Sequence, residues 1–264
     1  MPSGLARLIV IGGGCYGSYH ARQLDRARQR GGIAPHEIVI VDREADCAAR
    51  AEFDGRPGFR FVTSGWDDYL DDCFEALPPD TFDQVVPTPI APHLMFHWLR
   101  RRAERRCAAA AVRVQALPEL PPTPYAGSGA DGSGYLSFAT WTCPVTCYEP
   151  ATCPATRGPK NWEMDDALFA YARRMRGVGH AFDLVEVFRI RHLAWGIAAF
   201  PARLAVAAAH RLDRLAQAGG GPRRLLVGTV SACHGIATAL EFTPPEGSGR
   251  ASEPGSGGRG APGR

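Results

Sequence analysis

Three cysteines fall within eleven residues at Cys143, Cys147 and Cys153, spaced C-x3-C-x5-C, and Cys143 and Cys153 run directly into proline. Thiolates so grouped are the ligands of zinc or of an iron–sulfur cluster. The prolines make a stiff, irregular loop that can hold sulfurs together without a helix or sheet. A fourth ligand is available at Cys233, followed by His234, after the strand-like run 225–230. The set Cys143, Cys147, Cys153 and Cys233 suits a [4Fe–4S] cluster or Zn. The spacing matches neither the C-x2-C-x2-C of ferredoxins nor the paired C-x2-C units of zinc ribbons. Thiol redox chemistry and ordinary buried thiols remain open readings of the same residues.

A second stretch able to do chemistry is Leu8-Ile9-Val10-Ile11 followed by Gly12-Gly13-Gly14-Cys15-Tyr16-Gly17. A continuous apolar run into G-x-G-x-x-G predicts a buried parallel strand, a tight turn and a helix. Gly12 permits the turn, Gly14 lets a pyrophosphate approach the backbone, and Gly17 lets the helix pack against the strand. The helix N-terminus favours bound phosphate. A helix over 19–30, stopped by Gly31-Gly32, and a strand over 37–41 ending on Asp42 complete a strand–turn–helix–strand–acid order. Asp42 is placed to accept hydrogen bonds from an adenosine ribose, which favours NAD. Arg43 could instead meet the 2′-phosphate of NADP.

Positioning these groups takes a regular series of elements. A helix is expected over 44–53, a strand over 59–62, and a helix from Ser64, as cap, to about Leu77. A strand over 83–86 leads to Thr88 and Pro89, then a helix over 93–106 and a fifth strand over 111–117. Alternation of this kind predicts an α/β fold, a Rossmann-type doubly wound parallel sheet, with ligand beyond the carboxyl ends of its strands. Asp67, Asp68, Asp71 and Asp72 read as a solvated helix start, and the arginine run 100–106 as a solvated helix end. Residues 118–134, rich in Pro, Gly, Ser and Asp, read as a linker or exposed loop.

A dinucleotide-binding domain over 1–120 is therefore expected to precede a smaller α+β domain over 121–244. That second domain carries the cysteine loop, a helix over 163–175, a strand over 182–190, a helix over 201–217 and a last strand over 224–230. Residues 245–264 lack the apolar content for a core and are expected to be disordered. His93, His180 and His234 are the candidate proton donors, His180 and His234 at strand ends or turns and His93 opening a helix. With 264 residues, 45% of them hydrophobic and 22% charged, the chain can build a substantial core. A net charge of +3 argues for neither nucleic acid nor an acidic membrane as partner. No apolar run reaches a membrane span, and the first strand leaves no room for a signal peptide. A cytoplasmic protein with mostly reduced cysteines is expected.

On residues 8–42 the chain resembles the NAD(P)-binding Rossmann-fold superfamily. Asp83 to Val86 followed by Thr88-Pro89-x-x-x-His93, with Gly-Ser-Tyr-His-Ala at 17–21, further resembles the glucose–fructose oxidoreductase and inositol dehydrogenase family. That resemblance implies that the loop at Thr88 and Pro89 lies along the cofactor near the nicotinamide. The family places Glu-Lys-Pro after its fifth strand, and its lysine assists catalysis. Here the region reads Leu117-Pro118-Glu119-Leu120-Pro121, without lysine. The cofactor fold carries over and the sugar-alcohol chemistry does not. The expected function is an NAD(P)-dependent oxidoreductase acting on a small molecule, with a second copy of the chain or an electron-transfer protein as partner. A non-catalytic nucleotide-sensing or scaffold protein with a structural metal, and an FAD enzyme, are the alternatives.

Overall fold

The computed structural model describes residues 7–87, 93–139 and 147–245. The first half follows the apolar runs. β1 (Arg7–Ile11) leads into α1 (Cys15–Gln29), β2 (Glu37–Asp42) into α2 (Ala48–Phe53), and β3 (Phe59–Thr63) into α3 (Trp66–Ala76). β4 (Gln84–Val86) precedes α4 (Leu94–Arg106). Ile9 and Val10 of β1 and Val39 and Ile40 of β2 are fully buried, as strands covered on both faces must be. α1 stops where Gly31 turns to φ 69° and the Gly32 amide bonds the Ala27 carbonyl at 2.8 Å.

A 3-10 turn at Ala109–Ala111 then leads to β5 (Val112–Gln115), β6 (Tyr125–Ser128) and β7 (Gly134–Ser137). After α5 (Met164–Gly177) come β8 (Leu184–Arg189), β9 (Arg191–Ala194) and β10 (Ile197–Pro201). α6 (Ala202–Gln217), β11 (Arg223–Val230) and β12 (His234–Phe242) complete the series. The first sheet has the order β3-β2-β1-β4-β10-β9 and the second β6-β7-β12-β11-β8, with β5 also on β12. β3, β2, β1 and β4 are parallel, whereas β10 and β9 join them antiparallel. In the second sheet β8 and β11 are parallel and the other pairs antiparallel. The fold is mixed α/β, built on two mixed sheets.

Side-chain alternation then stacks the layers. Ile9, Ile11, Val39 and Val41 face one way from the first sheet and share a core with Leu225, Val227, Leu240 and Phe242 of the second. Helices α3, α4 and α6 fill the space between. α4 brings bulk, with Trp98 edge-on to Phe74 at 4.9 Å between ring centres. α6 brings small residues, Ala202, Ala205, Ala208 and Ala209, all buried. Large against small lets the helices fit closely. α1 and α2 cover the outer face of the first sheet, and α5 that of the second.

Several expectations are corrected here. The fifth strand is shorter than 111–117 and lies in the second sheet, where Val112 pairs with Phe242 and Val114 with Leu240. The five residues after α4 carry it to that helix's far side. The place beside β4 goes instead to β10, from the hairpin around Trp195 (φ 44°) and Gly196 (φ 82°). Residues 118–134 are not simply a linker, because β6 pairs with β7 across a turn at Gly129–Gly132. A cut near residue 120 therefore separates neither the sheets nor their shared core. Ser64 does not cap α3: Gly65 holds that position and the Ser64 hydroxyl bonds its carbonyl. The arginine run is only partly solvated, since Arg102 is buried between Glu75 and Asp213. Among the described residues no helix is long and apolar enough to cross a membrane. The expected tail lies beyond the described residues after Pro245.

Candidate functional site

The glycine turn joins β1 to α1 through a short, tightly held backbone. Gly12 takes φ 92°, and its amide bonds the Val41 carbonyl of β2 at 2.8 Å. A Cβ on Gly17 would run into the carbonyl oxygen of Gly12, so only glycine lets α1 start this close to the turn. A Cβ on Gly13 would meet the Cys47 sulfur, and one on Gly14 would meet nothing. Gly14, Cys15 and Tyr16 are exposed, and Gly14 is the N-cap of α1. The helix has no acidic residue in its first turn, so its positive end is not neutralised there.

Asp42 braces this turn. Its Oδ2 accepts from the Gly13 amide at 2.6 Å and its Oδ1 from the Glu44 amide at 2.9 Å. Each carboxylate oxygen keeps a lone pair for another donor. Arg43 is exposed, pairs with Glu44 at 3.4 Å, and keeps its guanidinium in solvent next along the chain from Asp42. Gly12, Gly13, Gly14, Cys15, Tyr16, Gly17, Asp42 and Arg43 are thus brought to one edge of the sheet. Thr88 and Pro89 lie outside the described residues.

His93 opens α4, just beyond the carboxyl end of β4, which neighbours β1 in parallel register. It is 4% exposed, and its ring stacks on Phe96 at 4.8 Å and 10°. Burial holds it neutral, lowered to about 3. Its Nε2 meets the Thr238 hydroxyl of β12 at 2.8 Å. His180 is exposed in the turn after α5, on the outer face of the second sheet, and is not brought to the glycine turn. His234 begins β12, with Nδ1 2.8 Å from the Ser137 hydroxyl, and burial lowers its pKa.

The cysteine loop does return beside Cys233, through a residue that is not one of its cysteines. Glu149, at φ 54°, accepts from the amides of Ala232 and Cys233, each at 3.2 Å. A charged residue inside a proline-rich cysteine loop was the available signal. Each described cysteine of the set has an N–H aimed at sulfur. The Glu149 amide donates to Cys147 at 3.4 Å and the Trp162 indole to Cys233 at 3.3 Å. The Thr156 amide, with its hydroxyl and the Ala155 amide, holds the Cys153 thiol below its ordinary value. Burial pushes the Cys233 thiol up to about 11. Among the described residues no three His, Cys, Asp or Glu side chains form a group that could hold a metal ion. Cys143 lies outside the described residues.

Residues 95–243 match a family described as "Uncharacterized protein, C-terminal domain". That span opens within α4 and takes in every strand of the second sheet. The chain is also similar to an uncharacterized protein of Archaeoglobus fulgidus, 26% identical over 245 residues, covering 88% of this chain and 98% of that one. No solved structure matches it.

Proposed function

The chain belongs to this family of an uncharacterized C-terminal domain, and for it we propose an oxidoreductase that binds a nicotinamide dinucleotide at the Gly12–Gly17 turn. The observation that carries the proposal is the contrast between two glycines. Space at Gly17 is closed by the chain's own carbonyl, whereas space at Gly14 is open toward solvent. That is the division of labour a pyrophosphate-binding turn requires, close packing at the third glycine and backbone access at the second. The strand order β3-β2-β1-β4 supports a Rossmann-type reading of the first sheet, with β10 and β9 standing where further parallel strands would continue.

In this reading the pyrophosphate rests on the amides at the start of α1, and Asp42 accepts from the adenosine ribose hydroxyls. Asp42 favours NAD, while Arg43 leaves a 2′-phosphate of NADP a cationic partner. The dinucleotide supplies redox chemistry; the protein orients the substrate and excludes water. Titration with NAD(H) and NADP(H), followed by fluorescence or calorimetry, tests the site. Binding is expected in the wild type and absent in Gly14→Asp. Absence of any dinucleotide binding, or equal binding by Gly14→Asp, overturns it.

For the cysteine loop we propose a thiolate site that Cys143, Cys147, Cys153 and Cys233 form on binding metal, the three described thiols not being gathered as a metal group on their own. The N–H donors at three sulfurs support it, since they stabilise thiolate charge. A bound [4Fe–4S] cluster or Zn would supply the positive charge that deprotonates buried Cys233. Metal and sulfide analysis after anaerobic purification distinguishes the two, with stoichiometric metal expected and its loss in Cys153→Ser. Metal-free protein retaining all four cysteines sinks this assignment.

A further inference from the structure

β12 changes partners at Thr238. Its residues up to Ala237 pair with β7, and those from Ala239 onward pair with β5. Thr238 lies between these ladders on the same face as Leu240 and Phe242, the face that α4 and α6 cover. Ser133, just before β7, reaches into this break. Thr238 donates its hydroxyl to Ser133 Oγ at 2.8 Å, and Ser133 donates to Asp131 Oδ2 at 2.9 Å. Asp131 also accepts from the Ser133 amide at 3.1 Å, and these bonds hold its carboxyl below the usual range.

An ionised carboxylate only accepts, and so it fixes the direction of every bond behind it. The Ser133 proton points to Asp131, and the Thr238 proton points to Ser133. Thr238 Oγ1 must then accept from His93, which makes His93 the Nε2–H tautomer. Its Nδ1 is a bare acceptor, buried and without a hydrogen-bond partner among the described residues. Ser133, Thr238 and His93 are all buried, while Asp131 is exposed in the β6–β7 turn. A polar chain thus runs from solvent through the interior to an unsatisfied nitrogen at the start of α4, the helix that follows β4, and β4 pairs in parallel with the strand that leads into the glycine turn.

We propose that Asp131, Ser133, Thr238 and His93 form a proton wire that drains the proton of a small-molecule hydroxyl reacting there. The location of the reacting hydroxyl rests on the dinucleotide reading; the wire itself does not. The substrate O–H breaks as Nδ1–H forms, its electron pair staying on the substrate oxygen. His93 Nε2–H passes to Thr238, the Thr238 proton to Ser133, and the Ser133 proton to the Asp131 carboxylate, which releases it to water. Because buried His93 resists becoming imidazolium, uptake at Nδ1 and loss from Nε2 occur together. Reset takes one proton from water through Asp131, Ser133 and Thr238 back to Nε2, with rotation of the two hydroxyls, while the Nδ1 proton leaves to water that enters after the product departs.

Two-bond 15N correlation spectra of histidine-labelled full-length protein read the tautomer, and solvent exchange of the His93 Nε2 proton reads the wire. Wild-type His93 is expected as Nε2–H. Ser133→Ala, which leaves Thr238 to accept from His93, should slow exchange by about tenfold or more, because only local opening remains as a route. Ser133→Thr, which keeps the hydroxyl, should restore it. An Nδ1–H tautomer in wild type, or unchanged exchange in Ser133→Ala, overturns the wire. A saturating oxidised dinucleotide that leaves the His93 Nδ1 shift unmoved overturns its link to the reacting hydroxyl. If no dinucleotide binds yet Ser133→Ala slows exchange, the wire stands and the cofactor reading fails.

Discussion

The Gly13 amide donates to Asp42 Oδ2 at 2.6 Å, so the acid that ends β2 holds the turn that ends β1. A residue expected to read a ribose is also a brace. Asp42→Ala strips acceptors from the amides of both Gly13 and Glu44 and leaves a buried donor unpaired. Urea unfolding should show a loss of about 2 kcal/mol, together with lost dinucleotide affinity. Asp42→Asn, which keeps one carbonyl oxygen, should fall between the two. Equal stability of Asp42→Ala and wild type would remove the bracing role.

Gly14 and Gly17 should respond oppositely to the same added methyl group. Gly17→Ala forces a Cβ against the Gly12 carbonyl and should destabilise the fold by about 3 kcal/mol. Gly14→Ala meets open space and a φ of −72°, so stability should stay within about 0.5 kcal/mol. Its dinucleotide affinity should nevertheless fall, since the methyl group occupies the phosphate's approach. Thermal melting beside ligand titration separates these outcomes.

Arg211 of α6 holds Glu186 of β8 through two bonds of 2.6 Å, and Glu186 is 4% exposed. Arg211→Met strands a buried carboxylate and should cost about 3 kcal/mol. The double replacement with Glu186→Leu should recover most of that loss, because neither charge then remains. A double mutant as unstable as the single one would show that packing, and not charge, ties α6 to the second sheet.

Two buried histidines set a pH dependence. Burial lowers His20 to about 4 and His93 to about 3, while the unfolded chain titrates near 6.5. Below pH 6.5 the unfolded state therefore binds protons that the folded state refuses. Their contribution to stability is complete above that pH and falls as pH drops toward 4. The expected slope is about 1.4 kcal/mol per pH unit for each histidine. Denaturation between pH 7 and 4.5 measures it, and His93→Gln should remove roughly half of the two-histidine slope. An unchanged slope in His93→Gln would mean that His93 takes up its proton as readily in the fold as in the unfolded chain.

The glycine turn and the first four strands were legible because their signals are local. Consecutive aliphatic residues mark buried strands, and Gly12, Gly17 and Gly31 mark backbone that other residues resist. β5 was legible as a strand but not as a neighbour, since Val112 and Val114 carry no record of which sheet they join. β9 and β10 were obscured because Trp195 takes a positive φ that tryptophan rarely adopts. His93 stood out by type, yet the hydroxyl that orients it comes from Thr238, 145 positions away. The return of Cys233 to the cysteine loop followed from its chemistry, whereas the anchor at Glu149 depended on a backbone twist no motif encodes.

The hairpin that seats β10 against β4 has a consequence for synthesis. The first sheet emerges from the ribosome with β4 as a bare edge, and its covering strand follows only after more than a hundred further residues. At ordinary elongation rates that interval is on the order of ten seconds. Throughout it, an unpaired strand and the apolar faces awaiting α6 are open to other nascent chains. The first sheet is therefore complete only once β10 (Ile197–Pro201) has been made, long after its own first four strands.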